Sequence, residues 1–148
     1  MLSEPQRDLV RDKGTVLGRV LIGALFVATG VSMLMSPSGS AGYFEMVGIP
    51  MAGIVVWFVI ALKIAAGGAI IIGQRVGLAS AALIAFTALA TLFGHTGFGG
   101  GGSFDLVAVG KNLAIIGGLL YLMAYGPGGS NTGKLAPVTN DTPEAVSE

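Results

Sequence analysis

The chain contains no cysteine among its 148 residues, and only 11% of its residues are charged. The missing cysteine excludes disulfide bonds, thiolate metal sites, iron–sulfur clusters and thiol redox chemistry. The charged fraction is less than half of the roughly one quarter that is usual in soluble domains. A formal net charge of zero gives no reason to expect a nucleic-acid partner. Any redox chemistry in which the chain takes part must therefore be carried by another component.

Apolar residues make up 53% of the chain, and the mean hydropathy is +0.80. The apolar residues form four runs, at 16–35, 51–73, 76–95 and 104–125. At about 1.5 Å per residue, each run is long enough for a hydrocarbon core of roughly 30 Å. The first run is longer than the apolar region of a signal peptide, about 7–15 residues, so we expect a retained helix. The sequence predicts an all-α polytopic membrane protein, an antiparallel bundle of four transmembrane helices.

The segments between the runs are short. Residues 36–40 are predicted as a loop, and residues 41–47 as a short interfacial helix between helices 1 and 2, anchored by aromatic side chains. Residues 73–75 are predicted as a tight antiparallel turn, because so short a connection joins only neighbouring helices. Residues 96–103 are a glycine-rich loop. The polar segment 1–15 is expected to be cytoplasmic, and 126–148 to be a disordered cytoplasmic tail.

Basic residues outside the runs lie on one side of such a bundle: Arg7, Arg11, Lys13, Arg75 and Lys134. The two connectors on the other side contain no Lys or Arg. Because cytoplasmic loops carry the excess of basic residues, both termini are predicted to be cytoplasmic.

Small residues recur at helical spacing, and helices in lipid pack through such residues. In the first run, one side carries Arg19, Gly23, Phe26 and Gly30. In the third run, the predicted inner side carries Gly77, Ser80, Ala81, Ala88, Thr91 and His95, opposite Leu83, Phe86, Leu89 and Phe93. In the fourth run, the predicted packed side carries Val107, Gly110, Ala114, Gly117, Gly118 and Tyr121, with Lys111 at its edge.

Lys63 lies about 18 Å from the start of the second run, near the bilayer midplane. On insertion scales a cation at that depth costs about 2.5–3.5 kcal/mol, so its position requires an explanation. Two small-residue sides compete for the packing surface. Ala66 and Gly67 lie on the side of Lys63, whereas a second stripe lies opposite, so periodicity leaves the direction of Lys63 open.

Six side chains form the candidate polar pocket: Arg19, Lys63, His95, Asp105, Lys111 and Asn112. Lys111 lies about 10 Å below the outer end of its helix, so His95, Asp105 and Lys111 can converge in the outer half of the bundle. The alternative is that Asp105 or backbone carbonyls hold Lys111 for packing alone. His95 caps a helix or transfers protons, and Arg19 reaches phosphate head groups or forms an internal ion pair. One His and one Asp make an incomplete metal site, so no metal and no intrinsic cofactor are predicted.

Each of the four runs, or the segment before it, contains short motifs. They are Gly18-Arg19, Leu25-Phe26 and Gly30, then Gly48-Ile49-Pro50, Gly67-Gly68 and Gly73, then Phe93-Gly94-His95, and finally Lys111-Asn112-Leu113-Ala114 and Gly117-Gly118-Leu119-Leu120. Over residues 16–125 they resemble the DoxX family of bacterial four-helix membrane proteins, most specifically at His95 and Lys111-Asn112. Many members carry a Glu just before the Gly-Gly of the second helix, and in this chain Lys63-Ile64 occupies that neighbourhood.

The resemblance implies a bacterial inner-membrane protein that is an accessory or small subunit of a membrane-associated redox system, linked to quinone, sulfur or oxidative stress. Its partners would be the bilayer and a redox protein, and its cofactor, by resemblance only, a quinone. No self-contained catalytic motif is present, so an enzymatic role would be that of a subunit of a quinone-linked oxidoreductase. A carrier or channel for small anions or solutes, a purely structural bundle and a homo-oligomer stay open.

Overall fold

A computed structural model describes residues 10–98 and 103–128, and these residues form five α-helices. The helices are α1 (Thr15–Met35), α2 (Pro37–Met46), α3 (Ala52–Ile72), α4 (Val76–His95) and α5 (Leu106–Tyr125). A π-helical turn, Val10–Gly14, leads directly into α1. All except α2 are long and apolar enough to cross a membrane. The all-α prediction, with four membrane-spanning helices and a shorter helix between the first two, is confirmed.

Each long helix begins and ends within two residues of its predicted bounds. This agreement is expected because the thickness of the hydrocarbon core sets the length of an apolar run. The predicted N-terminal segment and C-terminal tail lie outside the described residues, apart from 10–15 and 126–128. Residues 99–102 of the predicted glycine-rich loop also lie outside them.

The predicted loop at 36–40 is wrong, because α2 begins at Pro37. Proline is the first residue of the helix, where its missing N–H breaks no helical hydrogen bond and its fixed φ suits the helix. The N–H of Ser40 donates to the carbonyl of Ser36 at 3.1 Å, which closes the first turn. The predicted short helix exists, but it starts four residues before its predicted start.

The connection from α3 to α4 is the tight turn that the sequence predicts. Gly73 (φ 78°) and Arg75 (φ 47°) both adopt the left-handed conformation. The N–H of Gln74 donates to the carbonyl of Ala69 at 2.9 Å, so the end of α3 keeps its hydrogen bonds. This turn holds α3 and α4 side by side and antiparallel.

The bundle consists of two closely packed pairs of helices, α1 with α3 and α4 with α5. The two pairs contact each other mainly through α3 and α4. Between α1 and α5 there are few contacts. Glycine permits the close approach of α1 to α3. A Cβ on Gly67 would lie 2.9 Å from the carbonyl oxygen of Gly23, and one on Gly23 would lie 2.7 Å from that of Gly67. Gly23, Phe26 and Gly30 are buried, so this part of the predicted α1 stripe is confirmed.

The two ends of the bundle differ. Thr15 lies beside Gly128, and Arg19 lies beside Gly73, so both termini of the described chain are at the end with the α3–α4 turn. We call this half of the bundle the terminal half and the opposite half the His95 half. A continuous apolar core fills the terminal half and extends to mid-bundle: Phe26, Ala66, Ile70, Val76, Ala79, Leu83, Leu119 and Leu122.

The predicted packed side of α5 is wrong. Val107 is 82% exposed and Tyr121 is 55% exposed, and the glycines and alanine between them at 110, 114 and 117 are exposed as well. The buried residues of α5 are instead Ala108, Leu119 and Leu122. In lipid, small residues mark a contact only where two backbones approach closely. Leu119 and Leu122 fill the space against the neighbouring helices. Of the predicted stripe, Gly118 lies against Ile22 of α1, and the other members face outward.

The predicted inner side of α4 is correct only in part. Ser80 and Thr91 are buried as predicted, but Ala81 and Ala88 are exposed. Leu83, which the prediction placed outside, is completely buried. Residue size does not distinguish the side of α4 that faces the core from the side that faces lipid, because core and lipid are equally apolar and leucine is stable in both.

Candidate functional site

A cavity of about 230 Å³, the central cavity, lies where all four long helices meet. Four of the six predicted pocket residues line it: Lys63 from α3, His95 from α4, and Lys111 and Asn112 from α5. Hydroxyl groups come from Thr29 and Thr87, and one flat wall comes from Phe86, among other residues. The structure therefore brings most of the predicted polar set together.

Lys63 points into the bundle, which settles the direction that the sequence leaves open. Ala66 and Gly67 on its side of α3 are buried, whereas Ala61 and Ala65 on the opposite side are exposed. Gly30 of α1 makes room at this level, because a Cβ there would lie 3.1 Å from the Lys63 Cβ. The packed side of α3 therefore carries the cation.

The Lys63 ammonium has only neutral partners within residues 10–98 and 103–128. It donates to the Met33 sulfur at 3.7 Å and lies 5.4 Å from the centre of the Phe86 ring. A thioether is a weak acceptor, and the face of an aromatic ring attracts a cation only modestly. Neither neutralises a buried charge, so a stronger acceptor that entered the cavity could replace them.

His95 and Lys111 add two more basic groups to the cavity wall. Among the described residues, neither side chain has a hydrogen bond or an ion pair. His95 is partly buried at the end of α4, and Lys111 is exposed. No carboxylate is among the lining residues. Three basic side chains thus line one cavity, with no acid to balance them there.

Asn112 connects α5 to α4 through a chain of hydrogen bonds. Its side-chain amide donates to the Thr91 hydroxyl at 2.9 Å, and that hydroxyl donates to the carbonyl of Thr87 at 2.6 Å. Thr87 is only 4% exposed, and its own hydroxyl has no partner. A buried polar group without a partner is unusual in proteins, and the Thr87 hydroxyl shares this state with the Ser80 hydroxyl of the same helix.

Thr87, like Thr29 of α1, is a polar lining residue that the sequence did not single out. Its position off the predicted inner stripe of α4 removed it from consideration. The spacing could have identified it, because Thr87 lies four residues before Thr91 and seven after Ser80. Residues at these intervals share one side of a helix.

Asp105 does not line the central cavity, and it does not pair with Lys111. Its carboxylate accepts a hydrogen bond from the N–H of Ala108 at 3.0 Å and so caps α5. Its N–H donates to the carbonyl of His95 at 3.0 Å, which joins α4 and α5 through the backbone. The expected convergence of His95, Asp105 and Lys111 is therefore found for His95 and Lys111 alone.

Arg19 lies away from the cavity, in the terminal half. Its guanidinium lies against Gly73, and its Nε atom is buried without a hydrogen-bond partner. Neither an internal ion pair nor a link to the central cavity is found for Arg19 in the part of the chain that the structure describes.

A second space of about 450 Å³, the side cavity, lies between the end of α1, α2, α3 and α4. It shares Lys63 and His95, together with Phe86 and Ala90, with the central cavity. The two basic side chains therefore stand between two hollow spaces. The α1–α2 side of the side cavity carries serine hydroxyls: Ser32, Ser36 and Ser40.

Four long apolar helices around a cation-lined cavity define a small multi-pass membrane protein with an interior polar site. The chain belongs to the DoxX family, whose model matches residues 14–96, from the last residue of the π-helical turn to just beyond α4. The family predicted from the motifs is thereby confirmed. The matched part includes Lys63, Thr87 and His95, whereas Lys111 and Asn112 lie beyond it.

The chain is also similar to the inner membrane protein YqjF of Escherichia coli (strain K12). The two are 30% identical over 126 residues, which is 85% of this chain and 94% of that protein. No solved structure matches the chain.

Proposed function

We propose that this chain is an accessory protein of a quinone-linked redox system in the inner membrane, and that its central cavity holds the quinone ring. One observation carries the proposal: Lys63, His95 and Lys111 line a cavity that no carboxylate lines. The DoxX resemblance supplies the link to redox systems, and the name of YqjF supports the inner membrane. With cytoplasmic termini, as the basic residues predict, the cavity would lie in the outer half of the bilayer.

The lining residues fit a quinone by chemistry. Quinone oxygens accept hydrogen bonds, and the ammonium groups of Lys63 and Lys111 and the unpartnered Thr87 hydroxyl are donors. The flat ring of Phe86 provides a stacking surface. When bound, a quinone accepts or releases electrons. Fixed cations stabilise the negative charge that its oxygens gain on reduction, because charges interact strongly away from water.

An accessory role fits the chain better than an independent enzyme. The chain has no cysteine, and the described residues contain no group of three His, Cys, Asp or Glu side chains that could hold a metal ion. The proposal therefore assigns electron transfer to a partner oxidoreductase. The contribution of this chain is to hold the ring and exclude water from it.

The packing of the terminal half favours binding over transport. Ile70, Leu83 and Leu119 are completely buried in the apolar core of that half. A carrier or channel for small anions needs a path through this half, and the packed core supports a cavity that is closed on that side. We expect proteoliposomes of the chain to show no anion flux. Flux that disappears in Lys63→Ala would favour the carrier instead.

Ring binding is tested by thermal unfolding of the full chain in detergent, with and without a short-chain benzoquinone. A ligand at a hundred times its Kd stabilises a protein by about 2.7 kcal/mol, which a melting curve detects readily. We expect stabilisation of the wild type and of Arg75→Met, a matched loss of a cation outside the cavity. We expect none in Lys63→Met. A wild type that the benzoquinone does not stabilise would contradict the ring site.

The partner is tested by affinity purification of the full chain from native membranes. The proposal predicts that an oxidoreductase is recovered with the chain and that its quinone-dependent turnover falls when the chain is removed. Recovery of no oxidoreductase would contradict the accessory role without affecting the result on ring binding.

A further inference from the structure

An apolar groove of about 490 Å³ lies beside the side cavity, between α2, α3 and α4. Its walls are almost entirely hydrocarbon, with Tyr43 as the polar exception. Phe58 and Leu89 in these walls are 68% and 57% exposed. Both lie within membrane-spanning helices, so this part of the groove faces lipid.

The groove adjoins the polar cavities. Phe86 and Ala90 line the groove, the side cavity and the central cavity alike. Tyr43 and Phe44 of α2 line both the groove and the side cavity. The three spaces therefore follow one another from lipid to the centre of the bundle, and Lys63 and His95 stand between the last two.

A loose contact closes the boundary between α2 and the end of α4. The Tyr43 hydroxyl donates to the carbonyl of Gly94 at 3.5 Å, which is longer than the usual range of about 2.5–3.0 Å for such a bond. A Cβ on Gly94 would lie 2.9 Å from this hydroxyl, so glycine leaves room for the tyrosine. A single weak hydrogen bond of this kind contributes little to holding α2 against α4.

The groove, the side cavity and the central cavity together match the shape and polarity of one kind of ligand. A ligand that fills all three spaces has an apolar chain at the groove end. At the other end it has a head group rich in acceptor oxygens, which the basic side chains and the free Thr87 hydroxyl complement in charge and hydrogen bonding. Such an amphiphile is dissolved in the bilayer and reaches the groove without crossing water.

We infer that the groove holds the apolar chain of a single-chain amphiphile, which enters sideways from the lipid and places its head in the central cavity. This inference rests on the proposed function, because it takes the quinone ring as the head group. It adds the ligand class, a quinone with one long chain, and it assigns a binding role to α2, α3 and α4 along the groove.

The test is photolabelling of the full chain in phosphatidylcholine nanodiscs. The probe is a benzoquinone with a ten-carbon chain that ends in a diazirine, and the labelled residues are mapped by mass spectrometry. We expect groove residues such as Val55, Phe58 and Leu89 to carry roughly tenfold more label than the outward stripe of α5, the ratio of a 1.4 kcal/mol preference.

Two matched variants locate the chain. Ala85→Trp fills the groove and leaves both cavities untouched, because Ala85 lines the groove alone. Ala88→Trp is the control, an exposed alanine of the same helix that lines none of the three spaces. Groove labelling should fall roughly tenfold in Ala85→Trp and stay at the wild-type level in Ala88→Trp.

Equal labelling of all lipid-facing residues, or equal labelling of the two variants, would overturn the inference. Thermal stabilisation by the short-chain benzoquinone separates this failure from failure of the ring site. Stabilisation without groove labelling would leave the ring site standing and refute the chain site. A probe that labels the groove but is not displaced by the short-chain benzoquinone would show a chain bound without its ring, which also overturns the inference.

Discussion

Among the described residues, a continuous apolar core fills the terminal half of the bundle, whereas the central and side cavities lie in the other half, so we call the two the solid half and the hollow half. Ile70, Leu83 and Leu119 are completely buried in the first half, and cavities of about 230 and 450 Å³ occupy the second. The basic side chains Lys63, His95 and Lys111 belong to the hollow half or its boundary at mid-bundle. This contrast fits the proposed function, in which one half stabilises the fold and the other holds a ligand.

The largest expected effect is a loss of packing in the solid half. Leu119→Ala should lower the free energy of unfolding by about 2–5 kcal/mol, because a cavity replaces a fully buried side chain. Leu89→Ala, in the groove wall, should change it by less than about 1 kcal/mol, since Leu89 is largely exposed. Titration with sodium dodecyl sulfate measures both. Equal losses would remove the distinction between the halves.

The α1–α3 contact is the next most sensitive feature. Gly67→Ala should cost about 1–3 kcal/mol, because the new methyl group would lie 2.9 Å from a backbone oxygen of α1. Gly68→Ala is the control: a Cβ there has no neighbour within 4 Å, so alanine should be neutral or stabilise by up to about 1 kcal/mol. The same detergent titration measures both variants. A Gly67→Ala protein as stable as Gly68→Ala would contradict the close approach of α1 to α3.

The cap on α5 should contribute about 1 kcal/mol. Asp105→Ala removes the acceptor for the Ala108 N–H, whereas Asp105→Asn keeps one and should have little effect. Because Asp105 and Lys111 form no ion pair, Asp105→Ala and Lys111→Met should have additive effects on melting temperature. Recovery of stability in the double variant would instead show that the two side chains are paired.

The smallest effect concerns the link between α4 and α5. Asn112→Leu should cost about 0.6 kcal/mol, the average measured for a hydrogen bond between membrane helices. Thr91→Val removes the acceptor of the same bond. A double-mutant cycle between the two should therefore give a coupling energy different from zero, measured by unfolding in detergent. Purely additive losses would mean that the bond does not contribute in solution.

The sequence was sufficient to predict the helices, because bilayer thickness and apolar length are directly related. It was less informative about which side of each helix faces inward. The stripe around Gly110 and Gly117 faces outward, and Leu83 faces inward, because lipid and protein core are equally apolar. In a membrane helix, patterns of residue size and polarity therefore do not show which side faces the protein core, as they do in a soluble protein.

The candidate site was predictable to the extent that ionisable residues are rare in membrane helices. Their rarity identified Lys63, His95, Lys111 and Asn112, which the cavity brings together. It could not separate them from Asp105, which acts as a cap, or from Arg19, which lies near the other end. Thr87 was missed because it lies off the predicted inner stripe of α4, although its spacing from Ser80 and Thr91 places it on their side of the helix.

The most direct measurement is the stability of Lys63→Met without any ligand, compared with the wild type by unfolding in detergent. If the Lys63 ammonium has no acid partner, removing its charge should raise the free energy of unfolding by about 2 kcal/mol. The same variant should lose its response to the benzoquinone. A Lys63→Met protein less stable than the wild type would show that the charge is already compensated, and would contradict a cavity whose ammonium group is available to the oxygens of a quinone.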